Sequence, residues 1–191
     1  MKKNKLIFKD HHSANSKETW LQKEMKDCNH TYHIPGVNTL FSMKFANKKI
    51  IAVDIGANVG AFSICASPYF DKIYAFEAAH NTYQVAKENM SHLNNIELFN
   101  LAAAGNDDEI LQLASHSNNL SRDTSIFHVS QARTNEVEEC KTISLEGVYK
   151  KIGLNYIDYL KVDCEGSEYD LLMDKDLSAI NYLVVKSTQG I

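Results

Sequence analysis

Short apolar, β-branched runs alternate along this chain with segments whose apolar positions recur at helical spacing. A run at about 49–55 reads as a strand and leads into a helix at about 59–67 that Pro68 stops. Lys72–Phe76 reads as a second strand, followed by a helix over 79–93 with Tyr83, Ala86, Met90 and Leu93 on one stripe. Ile96–Leu101 is expected as a third strand, and Glu109–Leu113 as one arm of a hairpin. The polar stretch at 115–136 has few anchors and reads as a long loop of the kind that often covers a site. A short helix at 144–152, a strand at 156–163, a helix at 166–174 and a fifth strand at 181–186 follow. Upstream, Asn15 and Glu18 stand in a capping-box relation ahead of Leu21, Met25 and Cys28. The pattern therefore predicts an N-terminal extension with a helix over 1–48 and one domain over 49–191. Strands separated by helices predict an α/β fold with a doubly wound parallel sheet.

Candidate chemistry gathers at the carboxyl ends of these strands, where such a sheet places its ligands. Ile51-Ala52-Val53-Asp54-Ile55-Gly56-Ala57-Asn58-Val59-Gly60 is a strand, a tight glycine-bracketed turn and a helix start, which lets a nucleotide-type cofactor approach the backbone. It is not the dinucleotide fingerprint, because Asn58 stands where the second glycine of Gly-x-Gly-x-x-Gly belongs. Asp54 suits a cationic or hydroxyl-bearing ligand better than a pyrophosphate. Glu77 directly follows the second strand, where a carboxylate can accept from both hydroxyls of a ribose. The fourth strand ends in Leu160-Lys161-Val162-Asp163-Cys164-Glu165-Gly166-Ser167-Glu168, a density of ionisable groups that is costly unless they are solvated or working. An acid at a strand end is often only a cap for the next helix. Asp54, Glu77 and Asp163 at the ends of three strands of one sheet are harder to explain that way. Asp107 and Asp108 read as turn residues.

Composition narrows the classes. The 191 residues carry a net charge of −4, with 44% hydrophobic and 23% charged residues, which argues against a nucleic-acid partner. Lys2, Lys3, Lys5 and Lys9 read as a solvated terminus. No run approaches a membrane span or a signal-peptide core, so no membrane partner is expected. Cys28, Cys65, Cys140 and Cys164 form no Cys-x-x-Cys pair, which suggests reduced thiols and a cytoplasmic location. Cys28, His30 and His33 lack a fourth ligand at zinc-site spacing.

The order of motifs resembles the FkbM family of S-adenosylmethionine-dependent methyltransferases. The matching pieces are Asp54 to Gly60, Ala75-Phe76-Glu77, Ala103-Ala104-Gly105, Thr142-Ile143-Ser144-Leu145-Glu146, and Leu160 to Glu168 with its Lys-x-Asp-x-Glu-Gly-x-Glu pattern. The resemblance spans roughly residues 50 to 186. It implies a Rossmann-like class I methyltransferase fold, S-adenosylmethionine as cofactor, and methyl transfer to a hydroxyl of a sugar, glycan or other small natural product.

On that reading Gly56, Ala57, Asn58 and Gly60 face the methionine part of the cofactor, and Asp54 lies below, suited to the α-ammonium. Glu77 holds the ribose, and the backbone around Ala102 and Ala103, at the end of the third strand, lines the adenine. Asp163 is the first candidate for the base or acceptor-orienting group, and Glu165 and Glu168 are second. Lys161 shares a strand face with Asp163 by alternation and is expected to keep it ionised. The same acids could instead hold one divalent cation through oxygen ligands, the weaker reading. A non-catalytic relative, or an RNA ribose methyltransferase using Lys161, Asp163 and Lys186, are the other readings.

Two departures accompany the resemblance. Lys186 stands where the family usually has an acid. The sequence also stops where class I methyltransferases continue into two more strands, so an apolar edge at Tyr182, Leu183, Val184 and Val185 is expected to favour self-association.

Overall fold

The structure is a computed structural model that describes residues 49–114, 137–164 and 166–186. The expected helix at 15–28, the 115–136 stretch, the Cys28–His33 cluster and Glu165 lie outside the described residues.

Strand β1 (Ile51–Ile55) is buried along its whole length and forms the centre of the main sheet. It pairs in parallel with β2 (Lys72–Phe76) on one side and β7 (Ile157–Val162) on the other. β3 (Ile96–Phe99) extends the sheet beyond β2, and β8 (Ile180–Val185) extends it beyond β7, both in parallel. The order is β3-β2-β1-β7-β8. The direction of winding reverses between β1 and β7, so their carboxyl ends open onto the crevice where such sheets bind ligands. A parallel sheet covered on both faces needs near-continuous apolar central strands, and β1 and β7 are such runs apart from Asp54, Asp158 and Lys161.

Alternation divides the core between the two faces. Val53, Ile55, Leu160 and Val162 pack with Leu145, Val148 and Ile152 of α3 (Leu145–Ile152) and Leu171 of α4 (Glu168–Leu172). Ala52, Ile73 and Tyr159 pack on the other face with Phe62 and Ala66 of α1 (Ala61–Ala66). Val85, Ala86 and Met90 of α2 (His80–Met90) close the same side against Val59 and Ile64. The buried face of α2 is Thr82, Val85, Ala86, Asn89 and Met90, so Tyr83 lies beside the expected stripe rather than on it. At the amino end of the sheet, buried Asp158 accepts from Ile51 N–H (2.9 Å) and from the Asn181 amide (2.8 Å), tying three neighbouring strands together.

A second, three-stranded sheet has the order β4-β6-β5. Here β5 (Ile110–Ala114) is the expected hairpin arm, antiparallel to β6 (Val137–Ile143). β6 itself was not anticipated, since its apolar positions do not alternate. The third strand of the main sheet ends at Phe99 rather than Leu101. Ala102 and Ala103 therefore do not end that strand but form their own short β4, parallel to Thr142 and Ile143 of β6. The chain leaves the main sheet at Asn100, whose side chain donates to the Glu77 and Ala78 carbonyls at 2.9 and 2.7 Å.

At the far side, Leu183 and Val185 of β8 are exposed. No helix among the described residues is long and apolar enough to cross a membrane.

Candidate active site

The loop after β1 turns through three left-handed residues, Gly56 (φ 73°), Asn58 (φ 52°) and Gly60 (φ 92°). Gly56 and Ala57 both donate to the Phe76 carbonyl, at 3.0 and 2.9 Å, which moors the loop to the end of β2. The Asn89 amide holds the Val59 carbonyl from α2 at 2.9 Å. Gly56 also packs directly against the backbone carbonyl of Asp163, and Gly60 against the Met90 side chain. Loop, β2 end and β7 end thus meet at one point.

Glu77 is the anion of this junction. Its Oε2 accepts from Asn58 N–H at 2.8 Å and its Oε1 from Ala79 N–H at 3.0 Å. Burial pushes its carboxyl up to about 7, against the lowering effect of those two N–H donors and of the Lys161 charge. A carboxylate keeps lone pairs beyond those two bonds, so it can still accept from a diol. A buried carboxylate with acceptor capacity to spare fits the ribose hydroxyls of a nucleoside cofactor.

Beneath the loop, Asp54 is fully buried, with Oδ2 accepting from Ser63 of α1 at 2.7 Å. Its Oδ1 lies 3.0 Å from Lys161 Nζ, an ion pair closed on both sides. Asp54 therefore supports the loop from below. Lys161 also donates to the Gly56 carbonyl at 2.7 Å. Burial pulls the Lys161 ammonium down, but the charges of Asp54, Asp163 and Glu77 outweigh it and hold the group above its ordinary value.

The register gives Lys161 a second carboxylate neighbour besides Asp163, whose charge also acts on it. Lys161 lies opposite Asp54 across β1 and β7, so opposite charges meet as cross-strand neighbours. Asp163, just past the end of β7, meets Lys186, just past the Val162–Val185 pair of β7 and β8, at 3.3 Å. The buried Lys161–Asp54 pair and the Asp163–Lys186 pair are linked through the Asp163 charge, which also acts on Lys161. Asp163 is mostly buried while Lys186 is half exposed, so this second pair borders the crevice.

Glu168 does not face the crevice freely. Its two oxygens accept from Cys164 N–H (3.1 Å) and Gly166 N–H (2.8 Å), closing the turn after β7. Among the described residues no group of three His, Cys, Asp or Glu side chains is arranged to hold a metal ion. Ser167, at the start of α4, donates to the Ala103 carbonyl at 2.7 Å and so fixes β4, with its buried Ala102 and Ala103, to the β7 turn. Burial pushes the Cys164 thiol up to about 12, which makes it inert as a nucleophile. Asp107, expected as a turn residue, instead accepts from Ser144 N–H at 2.6 Å and so tethers its loop to the start of α3.

A doubly wound sheet with a glycine turn, a buried acid after the second strand and an acid beyond the fourth parallel strand is the class I methyltransferase type of Rossmann-like domain. The family described as the methyltransferase FkbM domain matches residues 54–190, and the chain belongs to it. No curated protein matches the chain. Among solved structures, the YcgJ protein of Bacillus subtilis is 21% identical over 38% of this chain and 34% of its own, with a TM-score of 0.29. A SAM-dependent methyltransferase from Agrobacterium tumefaciens is 13% identical over 42% of this chain and 25% of its own, with a TM-score of 0.31. The N-terminal domain of EvdMO1, solved with SAH bound, is 14% identical over 66% of this chain and 73% of its own, with a TM-score of 0.25. The chain thus spans about a third of the YcgJ protein and a quarter of the Agrobacterium methyltransferase.

Proposed function

We propose that this protein transfers a methyl group from S-adenosylmethionine to a hydroxyl of a small acceptor, a sugar, glycan or other natural product, in the cytoplasm. The observation that carries this reading is the Asn58–Glu77 bond of 2.8 Å beside the packing of Gly56 on Asp163, which joins a nucleoside-binding anion and a crevice-edge acid through one loop. When bound, S-adenosylmethionine supplies an electrophilic methyl group carried by a sulfonium cation.

The residues divide the remaining work. Glu77 holds the ribose hydroxyls, and the loop Gly56–Gly60 orients the methionine end. The backbone at Ala102 and Ala103 leaves room for a flat ring. Asp163 accepts the hydrogen bond of the acceptor hydroxyl, fixing its approach and taking its proton as attack proceeds. Lys186, 3.3 Å away, holds the Asp163 carboxylate in place.

The test is incorporation of label from methyl-labelled S-adenosylmethionine into a panel of hydroxylated sugars and aglycones. Label recovered as a methyl ether, and lost with Asp163→Asn, supports the reading. Label recovered instead on amine or thiol acceptors contradicts it.

A further inference from the structure

We propose that Lys161 is a positioning residue of the cofactor loop: with Asp54 and Ser63 it clamps the Gly56–Ala57 peptide from below, and it takes no part in the reaction itself. The inference rests on the cofactor reading above. Its geometry is independent of that reading.

One peptide plane is held at both ends. Its carbonyl, on Gly56, accepts from Lys161 Nζ at 2.7 Å, and its N–H, on Ala57, donates to the Phe76 carbonyl at 2.9 Å. Fixing that plane sets the direction in which the next N–H, that of Asn58, meets Glu77 at 2.8 Å. Gly56 is itself left-handed at φ 73°, a conformation with few local restraints of its own, so an external clamp has something to do.

The clamp is anchored rather than mobile. Lys161 is 2% exposed, and its ammonium lies 3.0 Å from Asp54. Asp54 is in turn held by Ser63 on α1 at 2.7 Å, and the Lys161 ammonium also lies against the Phe62 ring of the same helix. The chain of contacts runs from β7 through β1 to α1, and its outward end is a loop carbonyl. A buried charge so enclosed is poorly placed to exchange a proton with an acceptor.

Removing one member of a buried ion pair strands the other, whereas replacing both with neutral groups is often tolerated. The test is therefore the double variant Asp54→Asn/Lys161→Met, compared with Ser63→Ala, which removes only the anchor. In the double variant, thermal melting is expected to stay near wild type. Affinity for S-adenosylhomocysteine, measured by calorimetry, falls roughly tenfold to a hundredfold, the loss of a charge-assisted hydrogen bond. Amide exchange at Ala57 and Asn58 accelerates while the strands stay protected. Ser63→Ala keeps the fold and binds several-fold more weakly.

Unchanged loop exchange in the double variant overturns the clamp, and so does affinity within about twofold of wild type in a folded protein. Unchanged affinity with abolished turnover would instead make Lys161 a reacting group. If neither wild type nor variants bind the ligand, the cofactor reading fails while the exchange measurement still decides the clamp. If the double variant does not fold, Ser63→Ala carries the same two measurements, and unchanged affinity and exchange there overturn the proposal.

Discussion

Gly56 and Asp163 meet backbone to backbone: a Cβ on Gly56 would overlap the Asp163 carbonyl oxygen and stand 2.7 Å from its carbon. The cofactor turn and the acid beyond β7 are therefore one construction, and the glycine is required by space as well as by its φ of 73°. Gly56→Ala is expected to cost about 2–4 kcal/mol of stability. Chemical denaturation checks this, and a loss within experimental error would mean that loop and strand end separate readily.

Glu77 gives the site a pH dependence. Its carboxyl sits at about 7 because it is buried, and ribose hydroxyls donate to the ionised form. Affinity for S-adenosylhomocysteine should rise roughly tenfold per pH unit up to about 7 and flatten above it, with close to one proton released on binding near pH 6. Calorimetry in buffers of different protonation enthalpy measures that proton directly.

The same group sets a stability slope in the ligand-free protein. Its carboxyl is raised from 4.5 to about 7, so between those values the native state binds more protons than the unfolded state. Stability then falls as pH rises through this window, by about 3 kcal/mol in all, with the full cost present above pH 7. Glu77→Gln should abolish the slope. It carries its own penalty, because an amide nitrogen must then face the N–H of either Asn58 or Ala79.

Asp163→Asn should lower turnover by roughly 10²–10⁴, the usual range for a general base, while cofactor affinity stays close to wild type. Lys186→Met should change stability by less than about 1 kcal/mol, since its pair with Asp163 is half exposed on the lysine side. Steady-state kinetics with a methyl acceptor and a denaturation curve check the two halves of this expectation.

Asn100 was not visible as a functional residue, yet it holds the carbonyls of Glu77 and Ala78. Asn100→Ala leaves both carbonyls without that donor, at a cost of about 1–3 kcal/mol. The loss should appear in cofactor affinity more than in turnover of the saturated enzyme, which a titration and a saturation curve separate.

Much of this frame was legible in the chain because it depends on period and position. The parallel sheet follows from apolar runs separated by helical stretches, and the loop from Asp54 to Gly60 from its glycine spacing. What sequence spacing could not show was register. Alternation put Lys161 and Asp163 on one face, but only the pairing of β1 with β7 and of β7 with β8 decides which opposite charge each one meets. The second sheet was hidden for a related reason: β6 has apolar residues at Val137, Cys140 and Ile143, a spacing of three that reads as helical and lacks the alternation of a half-buried strand. Asn89, Asn100 and Ser167 act through backbone carbonyls far away in sequence, and no local pattern marks such contacts.

Calorimetric titration with S-adenosylhomocysteine at pH 8, of wild type and of Glu77→Ala, tests the central claim most directly. A saturable, one-to-one isotherm for wild type that is lost in the folded variant is the expected result. A folded wild type that gives no heat, or a variant that binds as tightly as wild type, would contradict the assignment of this edge of the sheet as the cofactor site.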